Sequence, residues 1–162
     1  MDTLSPPERS ERMGRVRSKN TKPELAVRRL VHLLGYRFRL HRIDLPGCPD
    51  LVFPNRKKVI FIHGCFWHRH DGCPNTRLPK SKPDFWKTKL EANRVRDAKN
   101  LRRLRARGWG IMVIWECQVK HQATLERRIT RFPHEGIHNR RLLDRFVAAI
   151  FNLRRGGWTG RS

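Results

Sequence analysis

Acidic residues are scarce: 14 Asp and Glu stand against 37 Lys and Arg, a formal charge of +23 over 162 residues. Such an excess repels itself unless a polyanion is near, so DNA, RNA and an anionic membrane are the partners to consider. Long apolar runs are missing as well. The longest strongly apolar one, Val59-Ile60-Phe61-Ile62, falls far short of the ~20 residues that cross a bilayer. The opening Met1-Asp2-Thr3-Leu4-Ser5-Pro6-Pro7 lacks the basic flank and apolar core of a signal peptide. The expectation is a soluble cytosolic protein that works on nucleic acid, with no membrane. Cysteine is sparse, at positions 48, 65, 73 and 117. In a reducing compartment a disulfide framework is disfavoured, which leaves metal ligation or plain burial. No internal repeat is visible, and the length suits one compact domain with a real core.

What is present divides into three parts. Residues 1–20 form a polar, basic N-terminal arm, residues 21–153 a single domain, and residues 154–162 a frayed basic tail. Thr21-Lys22-Pro23-Glu24 reads as a capping box: a threonine N-cap, proline in the first turn, glutamate at the third position. Val27, Leu30, Val31 and Leu34 then mark one helical face, and Gly35 suits the stop. Tyr36, Phe38 and Leu40 alternate with arginines, the pattern of a half-buried strand. Asp50-Leu51-Val52-Phe53 and Val59-Ile60-Phe61-Ile62 flank a turn at Pro54 to Lys58, so a hairpin centred near Arg56 sets Asp50 opposite Ile62 and beside His63. A loop covers 64–83. A long helix runs from about Asp84 to Arg107 and ends at Gly108. Ile111 to Trp115 is a third buried strand. A helix near 123–132 and an amphipathic one near 140–153, with Leu142, Leu143, Phe146, Val147 and Ile150, complete a mixed α/β plan with a sheet covered by helices.

The chemistry concentrates in His63-Gly64-Cys65-Phe66-Trp67-His68-Arg69-His70-Asp71-Gly72-Cys73, three histidines and two cysteines in eleven residues. Cys65, His70 and Cys73 are spaced for a tetrahedral zinc, with Cys117 as the best remaining thiol. Three thiolates and an imidazole close the coordination shell, so such a zinc is structural. Spacing alone does not choose His70 over His68, and the plainer reading is cysteines buried as small hydrophobes. Cys48 follows a turn glycine and reads as a plain residue. Asp50, after Pro49, is either a turn-solvating side chain or a carboxylate fixed at a strand end; with His63 across the hairpin, a magnesium ligand is favoured. Asn93 and Asp97 sit four apart on the long helix, on the face of Leu90, Leu101 and Leu104. A carboxylate on an apolar stripe needs a partner, either a nearby arginine or a metal site that it helps to line. Glu24 is accounted for by capping, with a second role left open. Phe66, Trp67, Phe85 and Trp86 are core residues by default; in so basic a chain the alternative is a wedge between base pairs.

These residues carry a family resemblance. Asn20-Thr21-Lys22-Pro23-Glu24, Leu45-Pro46-Gly47-Cys48-Pro49-Asp50, Phe61-Ile62-His63-Gly64-Cys65-Phe66-Trp67-His68, Phe85-Trp86, Asn93 to Asp97, and Trp115-Glu116-Cys117 resemble the very-short-patch repair (Vsr) DNA mismatch endonucleases. The resemblance runs from about Arg12 to Cys117. It implies a restriction-endonuclease-like fold with the metal-binding Asp of the PD-(D/E)xK motif at Asp50. The usual second acid and lysine are absent, and His63 and His68 stand in the active site instead. It further implies magnesium on Asp50 and the Ile62 backbone, His68 as general base, His63 assisting at the phosphate, and Glu24, Asn93 and Asp97 positioning metal-bound waters. Zinc falls to Cys65, His70, Cys73 and Cys117, and Phe66, Trp67 and Trp86 match the intercalating aromatics.

Three departures stand out. Ile62 occupies a position that can be threonine, which costs nothing if the backbone carbonyl is the ligand and loses any role of the hydroxyl. The zinc loop is one residue longer, at Asp71-Gly72. Cys48 replaces a commonly basic residue. The implied reaction is a nick in one strand of duplex DNA at a T·G mismatch, 5′ to the thymine. The implied setting is the bacterial cytosol and nucleoid, with a monomeric enzyme and repair proteins as candidate further partners. Two rival readings are a zinc-stapled DNA-binding module without activity and a nuclease for another nucleic acid.

Overall fold

A computed structural model describes residues 19–132. The expected basic arm before residue 19, the helix near 140–153 and the tail at 154–162 lie outside them. Seven regular elements follow in order: α1 Lys22–Leu33, β1 Arg39–Leu40, β2 Leu51–Phe53, β3 Lys58–His63, α2 Pro83–Ala106, β4 Gly110–Trp115 and α3 Gln122–Arg131. The strands form one sheet in the order β1-β2-β3-β4. The first two pairings are antiparallel, and β3 with β4 is parallel. The parallel pair needs a crossover, and α2 supplies it.

Helices cover both faces of this sheet. On one face Val27 and Val31 of α1 and Leu125 and Ile129 of α3 pack on Leu51, Phe53, Ile60, Ile62 and Ile114. On the other, Leu101 and Leu104 of α2 pack on Val52, Val59, Phe61 and Ile111. Alternate residues of β2 and β3 thus go to opposite cores, and all six residues of β3 are buried. This is why β3 reads as a continuous apolar run rather than an alternating one. The same alternation sends His63 to the α2 face. Fully burying each such aliphatic side chain is worth roughly 1.5–3 kcal/mol.

Several sequence expectations need correction. The first strand is only the two exposed residues Arg39–Leu40. Its partner β2 has three residues and cannot support a longer ladder. Tyr36 and Phe38 instead pack edge-on against Phe53, at 6.4 and 6.3 Å between centroids. The hairpin register is shifted by one. Leu51 pairs with Ile60 and Val52 with Val59, which carries Asp50 opposite Phe61, not Ile62. The turn explains the shift: Pro54–Arg56 is one 3-10 turn and Lys57 is left-handed, so Lys58 already belongs to the strand. The capping box is also modified. Thr21 is the N-cap and accepts from the Glu24 N–H, but Glu24 reaches back to the Asn20 N–H, one residue further than usual.

Candidate active site and metal-binding cluster

Asp50, His63, His68 and Asp97 converge on one cleft of about 820 Å³, which Glu24 and Asn93 also line. The chain enters it through Gly47, at φ +77, whose missing Cβ would sit 3.1 Å from Asn100 of α2. Only glycine lets that turn lie so close to the helix. Asp50 follows immediately at the head of β2. Its Oδ2 accepts from the Ile62 N–H at 2.7 Å, so the carboxylate is held across the hairpin as the sequence suggested, through a backbone bond that the shifted register still allows. Burial pushes the Asp50 carboxyl up to about 6, and the Ile62 hydrogen bond only partly offsets it. The oxygen donors of this partly buried carboxylate suit a hard divalent ion.

His68 sits on the loop after β3. Its Nδ1 is 2.5 Å from Asp97 Oδ2. Asp97 therefore pairs with an imidazole, and not with one of the arginines. Donation from Nδ1 leaves the lone pair on Nε2, the arrangement of a base oriented by a carboxylate. The His68 ring stacks on His63, with centroids 3.9 Å apart and planes 8° from parallel. Atoms of His63, His68 and Asp97 are close enough to suggest a metal site. Parallel stacked rings, however, direct their in-plane lone pairs alongside one another, so the stack serves proton chemistry better than ligation. His63 is buried, and burial holds it well below the usual imidazole range, so it is neutral. Asn93 donates to the Trp67 carbonyl at 3.2 Å and accepts from Arg96 at 2.8 Å.

Glu24 caps α1, and it also lines the cleft. Arg28 was not anticipated. It donates to Glu24 Oε2 at 2.8 Å, to Asn20 Oδ1 at 2.6 Å and to His41 Nε2 at 2.8 Å. Its spacing of four from Glu24 was the available signal; His41 gave none, because a loop brings it in. Cys48 lines the same cleft in a left-handed conformation and belongs to neither candidate metal-binding group among the described residues.

Behind the cleft, Cys65, His70, Cys73 and Cys117 gather with all four donor atoms within 4.8 Å of one another. His70 Nδ1 lies 3.7 Å from Cys65 Sγ and 3.3 Å from Cys117 Sγ. Metal bonds of ~2.3 Å to sulfur and ~2.0 Å to nitrogen make tetrahedral edges of roughly 3.5 Å, so the spacing fits. Geometry selects His70 here, while His68 turns to Asp97. All four cysteines are free of disulfides. Burial pushes the Cys65 thiol up to about 12 and raises Cys117 as well.

Phe66, Trp67 and Trp86 form one cluster at the cleft's edge, with centroids 5.2 to 6.0 Å apart. None of the three is in the buried core, and Phe85 beside Trp86 is 54% exposed. Lys89 lies over the rings of Trp67, Phe85 and Trp86 at 5.6 to 5.8 Å. Among the described residues no helix is long and apolar enough to cross a membrane.

A family model described as DNA mismatch endonuclease Vsr matches residues 1–74. The chain is 56% identical over 128 residues to the type II nicking enzyme V.XorIIP of Xanthomonas oryzae pv. oryzae, covering 79% of this chain and 93% of that relative. It is 40% identical over 134 residues to the type II nicking enzyme V.NmeAIP of Neisseria meningitidis, covering 83% and 95%. It is 35% identical over 117 residues to the DNA mismatch endonuclease Vsr of Escherichia coli, covering 72% and 74%.

Proposed function

The chain belongs to the DNA mismatch endonuclease Vsr family, and from that premise we propose that it nicks one strand of duplex DNA at a T·G mismatch, 5′ to the thymine. The observation that carries this reading is the convergence of Asp50, His63 and the His68–Asp97 pair on one cleft. Asp50 and the Ile62 carbonyl hold the catalytic metal, magnesium by the hardness of those oxygens. That ion, when bound, supplies charge neutralisation at the scissile phosphate and at the leaving 3′ oxygen. His68 takes the proton from the attacking water at Nε2, and Asp97 stabilises the imidazolium that results. Neutral His63 donates to a phosphate oxygen. Glu24 and Asn93 orient waters in the cleft. Cys65, His70, Cys73 and Cys117 hold a structural zinc that anchors the loop carrying His68.

Recognition follows from the aromatic edge. Phe66, Trp67 and Trp86 enter the base stack, and a mispaired step is cheaper to unstack than a matched one. Lys19, Lys89 and Arg96 add positive charge along the cleft for the phosphate backbone. The fold, a sheet between helices with Asp50 at a strand head, is read as restriction-endonuclease-like, and the enzyme works as a monomer. One assay tests the whole proposal. Purified protein with magnesium is incubated with a matched duplex, the same duplex carrying one T·G mismatch, and an RNA of equal length. A single nick 5′ to the mispaired thymine is expected. Equal cutting of the matched duplex, or cutting of the RNA alone, overturns the specificity assigned here.

A further inference from the structure

Four aromatic rings run without a break from the cysteine cluster to the cleft. His70 lies face to face with Trp115, centroids 4.2 Å apart and planes at 8°. Trp115 meets His63 edge to face at 5.4 Å and 74°. His63 stacks on His68 at 3.9 Å, and His68 is bonded to Asp97. The sheet fixes the two middle rings side by side, because Trp115 ends β4 in register with His63 of β3. Trp115 is only 5% exposed.

His63 makes this stack more than packing. Its Nδ1 is buried and has no hydrogen-bond partner among the described residues. A ring without that bond keeps its orientation through the rings it touches, which are Phe61, His68 and Trp115. Phe61 is on its own strand, and His68 is the group to be oriented. Trp115 alone of the three leads to another anchored ring, His70. The loop backbone runs the same way: the His68 N–H donates to the Gly64 carbonyl and the His70 N–H to the Cys65 carbonyl, so His68 is strung between two cluster ligands.

We propose that Trp115 is a positioning residue that passes the orientation of a metal-bound His70 to His63, and through it to the His68–Asp97 pair. The nicking rate then depends on the state of the cysteine cluster, none of whose four residues lines the cleft. This rests on the reading of His68 as the base and of the cluster as a zinc site. An indole is broad enough to meet a ring on each side. Phenylalanine keeps a face for His70 with less reach, and leucine fills space without a plane to stack on.

The test uses the zinc-loaded full chain and its Trp115→Leu, Trp115→Phe and His68→Ala variants. Zinc content, duplex affinity, single-turnover nicking rate and the low-field NMR signal of the His68 Nδ1 proton are measured; the signal's loss in His68→Ala assigns it. Trp115→Leu is expected to keep its zinc and its duplex affinity within about twofold, since affinity comes from remote phosphates. It should lose the low-field signal and nick about ten- to a hundredfold more slowly, the effect of a small misplacement of a reacting group. Trp115→Phe should recover part of both. A zinc-bound variant with the parent's rate and signal overturns the role. If Trp115→Leu loses zinc or unfolds, Trp115→Phe decides by the same criteria. If His68→Ala itself cuts at the parent rate, the catalytic reading has failed; a slow His68→Ala beside a parent-like Trp115→Leu sinks this inference alone.

Discussion

Asp50 concentrates the electrostatics of the cleft in one side chain. Burial lifts its carboxyl to about 6, against an ordinary value of 3.8. An acid raised by folding favours the folded state while it is protonated. Its contribution is therefore full below about pH 4 and is lost as pH rises through 6; it is worth at most about 3 kcal/mol. The metal-free protein should thus lose stability between pH 4 and 6 relative to Asp50→Asn, and magnesium should restore it at neutral pH. Melting temperatures of both proteins across that range check this, and identical profiles would remove Asp50 as the ion's anchor. Asp50→Asn should also abolish nicking while mismatched duplex still binds. His68→Ala should slow nicking about 10²- to 10⁴-fold, the usual worth of a positioned base. A parent rate in Asp50→Asn that folds and binds DNA means the metal site is misassigned.

At the scale of elements, the loop from β3 to α2 has little regular structure to hold it. It contains one 3-10 turn, Pro74–Thr76, and its order comes from side chains. Cys65 and Cys73 lie on the loop, His70 between them, and Cys117 follows β4. A zinc shared by these four ties the loop to the sheet, and such sites contribute folding free energy on the order of 10 kcal/mol. One equivalent of zinc is expected by elemental analysis. Cys117→Ser should lose it and melt at lower temperature; normal folding of that variant with full zinc would falsify the assignment. The same loop carries Phe66 and Trp67, two of the three proposed wedge residues. Trp67→Ala should reduce the preference for mismatched over matched duplex, because a stacking surface is worth roughly 1–3 kcal/mol per base. Competition binding measures the ratio, once zinc content has been matched to the parent's, since Trp67 lies between Cys65 and His70 in the chain.

The whole molecule carries a formal charge of +23, which no single site explains. Neutralising phosphates releases counterions, so affinity should fall linearly in log–log terms as salt rises. For six to ten phosphate contacts the loss between 50 and 200 mM salt is roughly 10³- to 10⁵-fold. The Asp50→Asn protein, which should bind without cutting, is the one to titrate. A flat response over that range rules out a phosphate-dominated interface.

Much of this molecule was legible before any fold was known, because local chemistry and periodicity are written residue by residue. The helix at Lys22–Leu33 follows from its threonine cap and apolar face, the long α2 from its stripe of Leu90, Leu101 and Leu104, and the candidate zinc ligands from thiols and imidazoles crowded into one loop. Long-range partners were not legible in this way. A register is set by a turn, and one left-handed residue at Lys57 moved Asp50 opposite Phe61. Spacing left His68 and His70 equivalent, and only packing sent one to Asp97 and the other to the thiols. Arg28 and His41 met because a loop folded back on α1, and Trp115 came between His70 and His63 because β4 lies parallel to β3. Sequence determines which groups are available and which local shapes they take. Their mutual distances depend on contacts between residues far apart in the chain, and those form only when both faces of the sheet are covered.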